Sequence, residues 1–181
     1  FGPCDLWEAD AALREAVVRE GGSAFVGHLG SYGRIAGDDL YRLSWDAHRD
    51  RPRLRCHDRF GRRIDRIEFH PAYHEVMDAA AAHGVVGLSW SPQHWHLPVT
   101  GAHVARAALS YLHHQAEPGS SCPLTMTHAA VPVLRRDSAL RDWSDKAAMP
   151  YYDPRDVPMA EKRGVTLGMG MTEKQGGSDV R

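Results

Sequence analysis

The chain has 181 residues, 43% of them hydrophobic and 25% charged, which suits one domain, or one domain plus the start of another, around a real core. A formal net charge of -1 excludes a global field that would draw it to nucleic acid or an anionic membrane, and no apolar run approaches the roughly 18 residues of a spanning helix. Cys4, Cys56 and Cys122 lie far apart without paired spacing, so they read as reduced thiols rather than a disulfide framework or a zinc site.

Phe1 opens the chain and no basic, apolar, small-residue signal pattern follows it; the expectation is a piece of a cytoplasmic protein. Residues 1–160 predict a mainly α domain. Asp10 is a helix N-cap, with Leu13, Ala16 and Val17 on one face, Glu15 four residues before Arg19, and Gly21 as the stop. A second helix is expected near 23–36, and a third from Asp38 and Asp39 to just before Pro52. The stretches 53–57 and 64–69 flank a turn at Phe60 and Gly61, and the alternation predicts a short β-hairpin near 53–69 with Ile67 and Phe69 on one face. Pro71 suits the first turn of a helix that carries Tyr73, Val76, Met77 and Ala80 inward and stops at Gly84.

Turn formers and aromatics then predict a packed loop over 85–101. The spacing at 102–117 is the clearest helical pattern, with Val104, Ala108, Tyr111 and Leu112 on one face and His103, Arg106, Ser110 and His114 on the other. Another helix is expected from Pro123, kinked or interrupted at Pro132, which lacks an amide donor. A further short one is expected over 137–146. Pro150, Pro154 and Pro158 mark a connection between domains. Residues 164–172 read as a strand, with Val165, Leu167, Met169 and Met171 alternating with Thr166, Gly168 and Gly170; glycines repeated in a strand suggest something lying close to the backbone.

From Gly168 the sequence runs Gly-Met-Gly-Met-Thr-Glu-Lys-Gln-Gly-Gly-Ser-Asp, ending at Asp179. Read from the residues alone, two accounts stand. In one, Gly176 and Gly177 let the backbone approach a ligand while successive amides and the Ser178 hydroxyl donate to a phosphate, and Thr172 aims a hydroxyl at a planar ring. In the other, this is a glycine turn closed by an aspartate.

The wording resembles the first flavin-binding signature of the acyl-CoA dehydrogenase family: Thr172 and Glu173, a three-residue spacer, then Gly177, Ser178 and Asp179. Lys174 stands where most of that family has proline, and the whole segment is similar to the AidB subgroup, flavoproteins of the adaptive response to alkylation. His57 to Arg59, Glu68 to Pro71, Cys122 to Thr127 and Tyr152 to Arg155 also look like that subgroup. The resemblance implies an amino-terminal helical domain (1–160) followed, in 161–181, by the first strand of a middle β-domain, with a four-helix bundle beyond. It implies FAD contacts from Met169, Gly170, Met171, Thr172, Gly176, Gly177 and Ser178, with Thr172 on the ring and Ser178 near the phosphates or the acyl-CoA thioester. The implied chemistry is α,β-dehydrogenation with hydride transfer to flavin. The catalytic base belongs to the bundle, so no catalytic residue is expected in this stretch, and Glu173 is part of the binding motif. A homotetramer, and DNA association through the carboxy-terminal region, are implied as well; with DNA the protein would be an alkylation-response flavoprotein with little or no turnover.

The remaining candidates have ordinary readings beside the functional ones. His94 and His96, and His113 and His114, lack companions at metal-ligand spacing and read as solvated or core histidines; no metal is expected. Residues 49–66 hold eight arginines against Asp50, Asp58 and Asp65, either a phosphate-binding hairpin or a solvated one with local ion pairs or a subunit contact. Ser31, Ser89, Ser91 and the neighbours Cys56 and His57 lack a nucleophile's setting, and Trp90, Trp95 and Tyr111 are expected to pack the helical domain.

Overall fold

Two aspartates start the helical part. In the computed structural model, which describes residues 3–170, the Asp5 carboxylate caps α1 (Leu6–Ala9) by accepting the amides of Trp7 and Glu8, each at 3.0 Å. Asp10 caps α2 (Ala11–Arg19) through the Leu13 amide at 2.8 Å, as its position predicts. A 3-10 turn at Ser23–Phe25 leads into α3 (Val26–Ile35).

Asp38 and Asp39 do not open a separate helix. A π-turn at Ala36–Leu40 carries α3 directly into α4 (Tyr41–Arg49). Asp38 has the chemistry of a cap, but its carboxylate pairs across the junction with Arg42 at 2.7 Å, and the Gly37 carbonyl accepts the Cys4 amide at 3.0 Å. The extra residue of the π-turn is absorbed by the returning amino-terminal segment.

The expected hairpin forms from β1 (Arg53–His57) and β2 (Arg63–Glu68), with Leu54 opposite Ile67 and Arg55 opposite Arg66. Its register shifts near Asp65, at φ 43°, the mark of a bulge. Asp58 closes the turn by accepting the amides of Phe60 and Arg62 at 2.8 and 2.9 Å. Every residue of both strands is exposed, Leu54 by 63% and Ile67 by 54%, so the ribbon stands off the body.

In α5 (Pro71–Ala82) Val76, Met77 and Ala80 are buried as their spacing predicts. The packed loop after it buries Val85, Val86 and Leu88. In α6 (Ala102–Ala116) the buried stripe runs through Ala105, Ala108, Leu109, Leu112 and His113. Tyr111, expected inside, is 50% exposed; its hydroxyl faces the Asp10 carboxylate at the surface, and small alanines take the close helix contacts instead.

α7 (Ser121–Leu134) begins before Pro123 and runs through Pro132. Proline leaves the carbonyl four residues back without its donor. Here that carbonyl, on His128, accepts Trp90 Nε1 at 3.0 Å, which removes the reason for a break. Asp137 caps a 3-10 turn through Ala139 at 2.9 Å, and α8 (Arg141–Ala147) follows. Residues 150–158 carry no regular structure, as their prolines predict.

The main core joins α1–α3 to α5–α7 around Trp7, Phe25, Leu29, Tyr32, Met77 and Leu109. A smaller cluster gathers Val131, Ala147 and Val165 under Trp90, Met159 and Leu167. The strand expected at 164–172 has no ladder in its described part, 164–170. A strand exists by virtue of a partner, and these amides find other acceptors: Val165 N donates to Lys146 O at 3.3 Å and Leu167 N to Thr127 Oγ1 at 2.9 Å. The alternation survives in part, because Val165 is buried, Thr166 exposed and Leu167 half-buried.

Candidate functional site

Of the residues expected to meet the cofactor, Met169 and Gly170 are described; Met171, Thr172, Gly176, Gly177 and Ser178 lie outside the described residues. What the structure does show is the mount from which that segment leaves. The buried Asp153 carboxylate accepts Arg155 Nε at 2.9 Å and Nη2 at 2.7 Å, and also the Arg163 amide at 3.0 Å. Those Arg155 bonds hold its carboxyl well below the usual carboxylate range, against the upward push of burial. Lys162 Nζ donates to Asp153 O at 2.8 Å, while Lys146 Nζ reaches Met159 O at 2.7 Å and Ala160 O at 2.9 Å. The 153–163 connection, named by its prolines as a linker, is therefore a tied loop.

At Gly164 a Cβ would collide with the Tyr151 carbonyl, so only glycine lets the chain pass this close. Thr127 then fixes the next step: its hydroxyl donates to Pro123 O at 2.7 Å and accepts Leu167 N. Beyond this clamp Met169 is 61% exposed, and a Cβ at Gly168 or Gly170 would meet open space. The chain thus delivers an apolar side chain between two bare backbone positions to an accessible surface. Asp153 and Thr127 stand in stretches singled out for their family-like wording, but that wording assigns them no role.

A wide cleft lies elsewhere. About 910 Å³ opens between the hairpin and residues 152–157, with Arg51, Arg66, Phe69, His74, Tyr152 and Asp156 among its walls. The basic hairpin beside it divides into two parts. Its strand arginines have acidic partners, Arg53 with Asp50 at 2.7 Å, Arg55 with Glu68 at 3.0 Å and Arg63 with Asp65 at 2.6 Å. At the tip, Arg59 and Arg62 lie over the Phe60 ring at 4.6 and 6.0 Å, without a carboxylate partner among the described residues.

No group of three metal-ligating side chains occurs among the described residues, and no helix there is long and apolar enough to cross a membrane. His113 is a core histidine: Tyr32 Oη and Ser120 Oγ are hydrogen-bonded to its Nδ1 and Nε2, each at 2.7 Å, and Ser120 Oγ also lies 3.3 Å from Glu117 O. The Ser120–His113 pair resembles a nucleophile with its base, but both side chains are closed off from solvent and burial lowers the imidazole to about 4. It is a structural chain. Glu117, also buried, is pushed up by burial, but donors from Ser120, Gly119 and His48 outweigh that and leave it lowered.

Comparison with known proteins places this architecture. The family model for the amino-terminal domain of the adaptive response protein AidB matches residues 1–154. AidB of Escherichia coli is 42% identical over 179 residues, 97% of this chain and 32% of that protein. Acyl-CoA dehydrogenase family member 11 of Caenorhabditis elegans is 24% identical over 94% of this chain and 27% of its own length. Among solved structures, C. elegans ACDH-11 in complex with C11-CoA superimposes with a TM-score of 0.80 at 21% identity, covering 99% of this chain and 30% of that one. The apo form of Bd2924 gives 0.80 at 25% identity, covering 99% and 35%. The chain spans about a third of the length of the curated relatives it matches.

Proposed function

Because the chain belongs to the AidB amino-terminal domain family, we propose that the whole protein is an FAD-dependent acyl-CoA dehydrogenase-like flavoprotein, AidB-like in kind, and that residues 161–181 begin its flavin-binding domain after the helical domain of 1–160. The observation that carries this reading is the clamp that ends at Leu167 and releases the Thr172–Ser178 wording directly afterwards. Met169, exposed between open glycines, suits the face of a planar ring. In this reading Met169, Gly170, Met171, Thr172, Gly176, Gly177 and Ser178 hold FAD, and Ser178 also meets the acyl-CoA thioester.

FAD, when bound, would supply the hydride acceptor for the carbon β to the thioester carbonyl. The work of this chain is positional. Thr172 offers a hydroxyl to a ring carbonyl, Ser178 and the Gly176–Gly177 amides offer donors to phosphate, and Thr127 with Asp153 holds the segment that presents them. The ACDH-11 complex with C11-CoA supports an acyl-CoA as the substrate class. A cytoplasmic homotetramer goes with the same reading.

The test is direct. The purified intact protein is expected to carry flavin absorbance that bleaches with acyl-CoA, and Thr172→Ala or Ser178→Ala is expected to weaken FAD binding about five-fold, the loss of one ordinary hydrogen bond. A colourless protein that takes up no FAD refutes the assignment.

The hairpin tip favours a second reading, a DNA-binding alkylation-response flavoprotein with little or no turnover, in which the carboxy-terminal region also contacts DNA. Arg59 and Arg62 are exposed beside an exposed Phe60. Duplex binding by the intact protein should then fall steeply with salt; no binding even at low salt removes this reading.

A further inference from the structure

One face shared by α6, α7 and the loop between α5 and α6 gathers four basic side chains and no acid. Arg106 does not point outward, as the pattern of α6 predicts; its Nε donates to the Val85 carbonyl at 2.9 Å. His128, on α7, donates Nδ1 to the next carbonyl, Val86, at 2.9 Å. Neighbouring acceptors bring the guanidinium and the imidazole side by side. His103, one helical turn before Arg106, meets the Trp90 ring edge-on with centroids 5.0 Å apart, and His128 stacks on the same ring at 5.0 Å. Arg135 lies over that indole at 6.0 Å. None of the four basic groups has an ion pair among the described residues.

Arg106 is the costly member of the group. Its side chain is half-buried, and Nη2 is closed off from water without an acceptor. Burial lowers its proton affinity, with no acid close enough to restore it. His128 is also lowered, by burial first, with Arg106 and His103 adding to the effect against its Val86 bond. Most other arginines among the described residues meet a carboxylate, so a desolvated guanidinium with an unfilled donor calls for an opposed negative charge.

We propose that Trp90, His103, Arg106 and His128 form an oxyanion-binding site, taking a carboxylate or phosphate against the indole with its oxygens toward the guanidinium and the two imidazoles. The guanidinium supplies the charged donor, the kind that gives an oxyanion short, strong hydrogen bonds. His128 already commits Nδ1–H to Val86, so its Nε2 donates only once the ring is protonated, a form that a bound anion favours. The source is either a free anion or an acidic side chain from another part of the intact protein, and the flavin reading is not needed for either.

Thermal unfolding of the intact protein with inorganic phosphate, against chloride at matched ionic strength, separates these sources. If the ligand is a free oxyanion, phosphate raises the melting temperature of the native protein by at least about 2 °C, as binding to the folded state requires, and the rise disappears in Arg106→Met. If an acidic side chain fills the site, phosphate does nothing while Arg106→Met, which also loses the Val85 bond, and His103→Gln both lower the melting temperature, because each weakens the hold on that carboxylate. His103→Gln, at an exposed position, keeps the test usable should Arg106→Met fail to fold, and is expected to shrink the phosphate effect where one appears. Indifference to phosphate together with a His103→Gln variant as stable as the native protein, or more so, overturns the proposal.

Discussion

Replacing Thr127 by valine tests the mount of the flavin-type segment at a single atom. Thr127 is fully buried, and valine fills almost the same volume, so the change removes a hydroxyl and little else. Two bonds go with it: donation to Pro123 O at 2.7 Å and acceptance from Leu167 N at 2.9 Å. The Pro123 carbonyl keeps its helical role, but Leu167 N, on a half-buried residue, has no other acceptor among the described residues. An amide stranded in this way costs about 1–3 kcal/mol. The natural assay is hydrogen exchange of the intact protein, read at the Leu167 amide. Exchange there should quicken by roughly five- to 150-fold, the kinetic equivalent of that energy, while amides in α2 and α5 are unchanged. Thr127→Ser retains the hydroxyl and should restore most of the protection. Under the proposed function, FAD retention should follow the same order, native above serine above valine. Undiminished protection of Leu167 in the valine variant would refute the claim that Thr127 anchors this segment.

Two further outcomes follow from buried groups. Burial, opposed by Glu117 and reinforced by His114, lowers His113 from 6.5 to about 4; the unfolded chain therefore takes the proton first. The stabilisation is complete above pH 6.5 and falls on acidification toward pH 4, by about 3 kcal/mol in all. Urea unfolding across that range should show the slope, and His113→Gln should flatten it. Gly164→Ala forces a methyl against the Tyr151 carbonyl, so limited proteolysis should cut the 150–170 stretch faster than in the native protein; an unchanged digestion pattern would mean the close approach is not needed.

The sequence was most informative where one residue's chemistry decides a local outcome. The Asp10 cap, the Pro71 start, the hairpin and the proline-rich connection were all legible, because capping, missing donors and alternation act over a few residues. It was least informative where a distant group settles the matter. Pro132 predicts a break, and only the Trp90 indole, far away in sequence, supplies the donor that the His128 carbonyl lacks. Asp38 looks like a cap until Arg42 and the Cys4 amide are placed around the π-turn. Tyr111 carries far more apolar area than the alanines of α6, yet close helix packing favours the smaller side chains. The flavin-type wording was recognisable by itself, but its support was not: Thr127 and Asp153 gain meaning only once Leu167, Arg155 and Arg163 are brought against them.

Among the described residues the ribbon of β1 and β2 has two free edges, and such edges ordinarily recruit a further strand from a neighbouring molecule. Arg53, Arg55, Arg63 and Arg66 stand along it, each beside an acidic neighbour, so a second ribbon would have to strip water and counter-charge from these side chains before it could pair. Charged, solvated side chains of this kind guard the unfinished sheet during synthesis and refolding, and apolar replacements at those positions should turn a well-behaved protein into one that clumps.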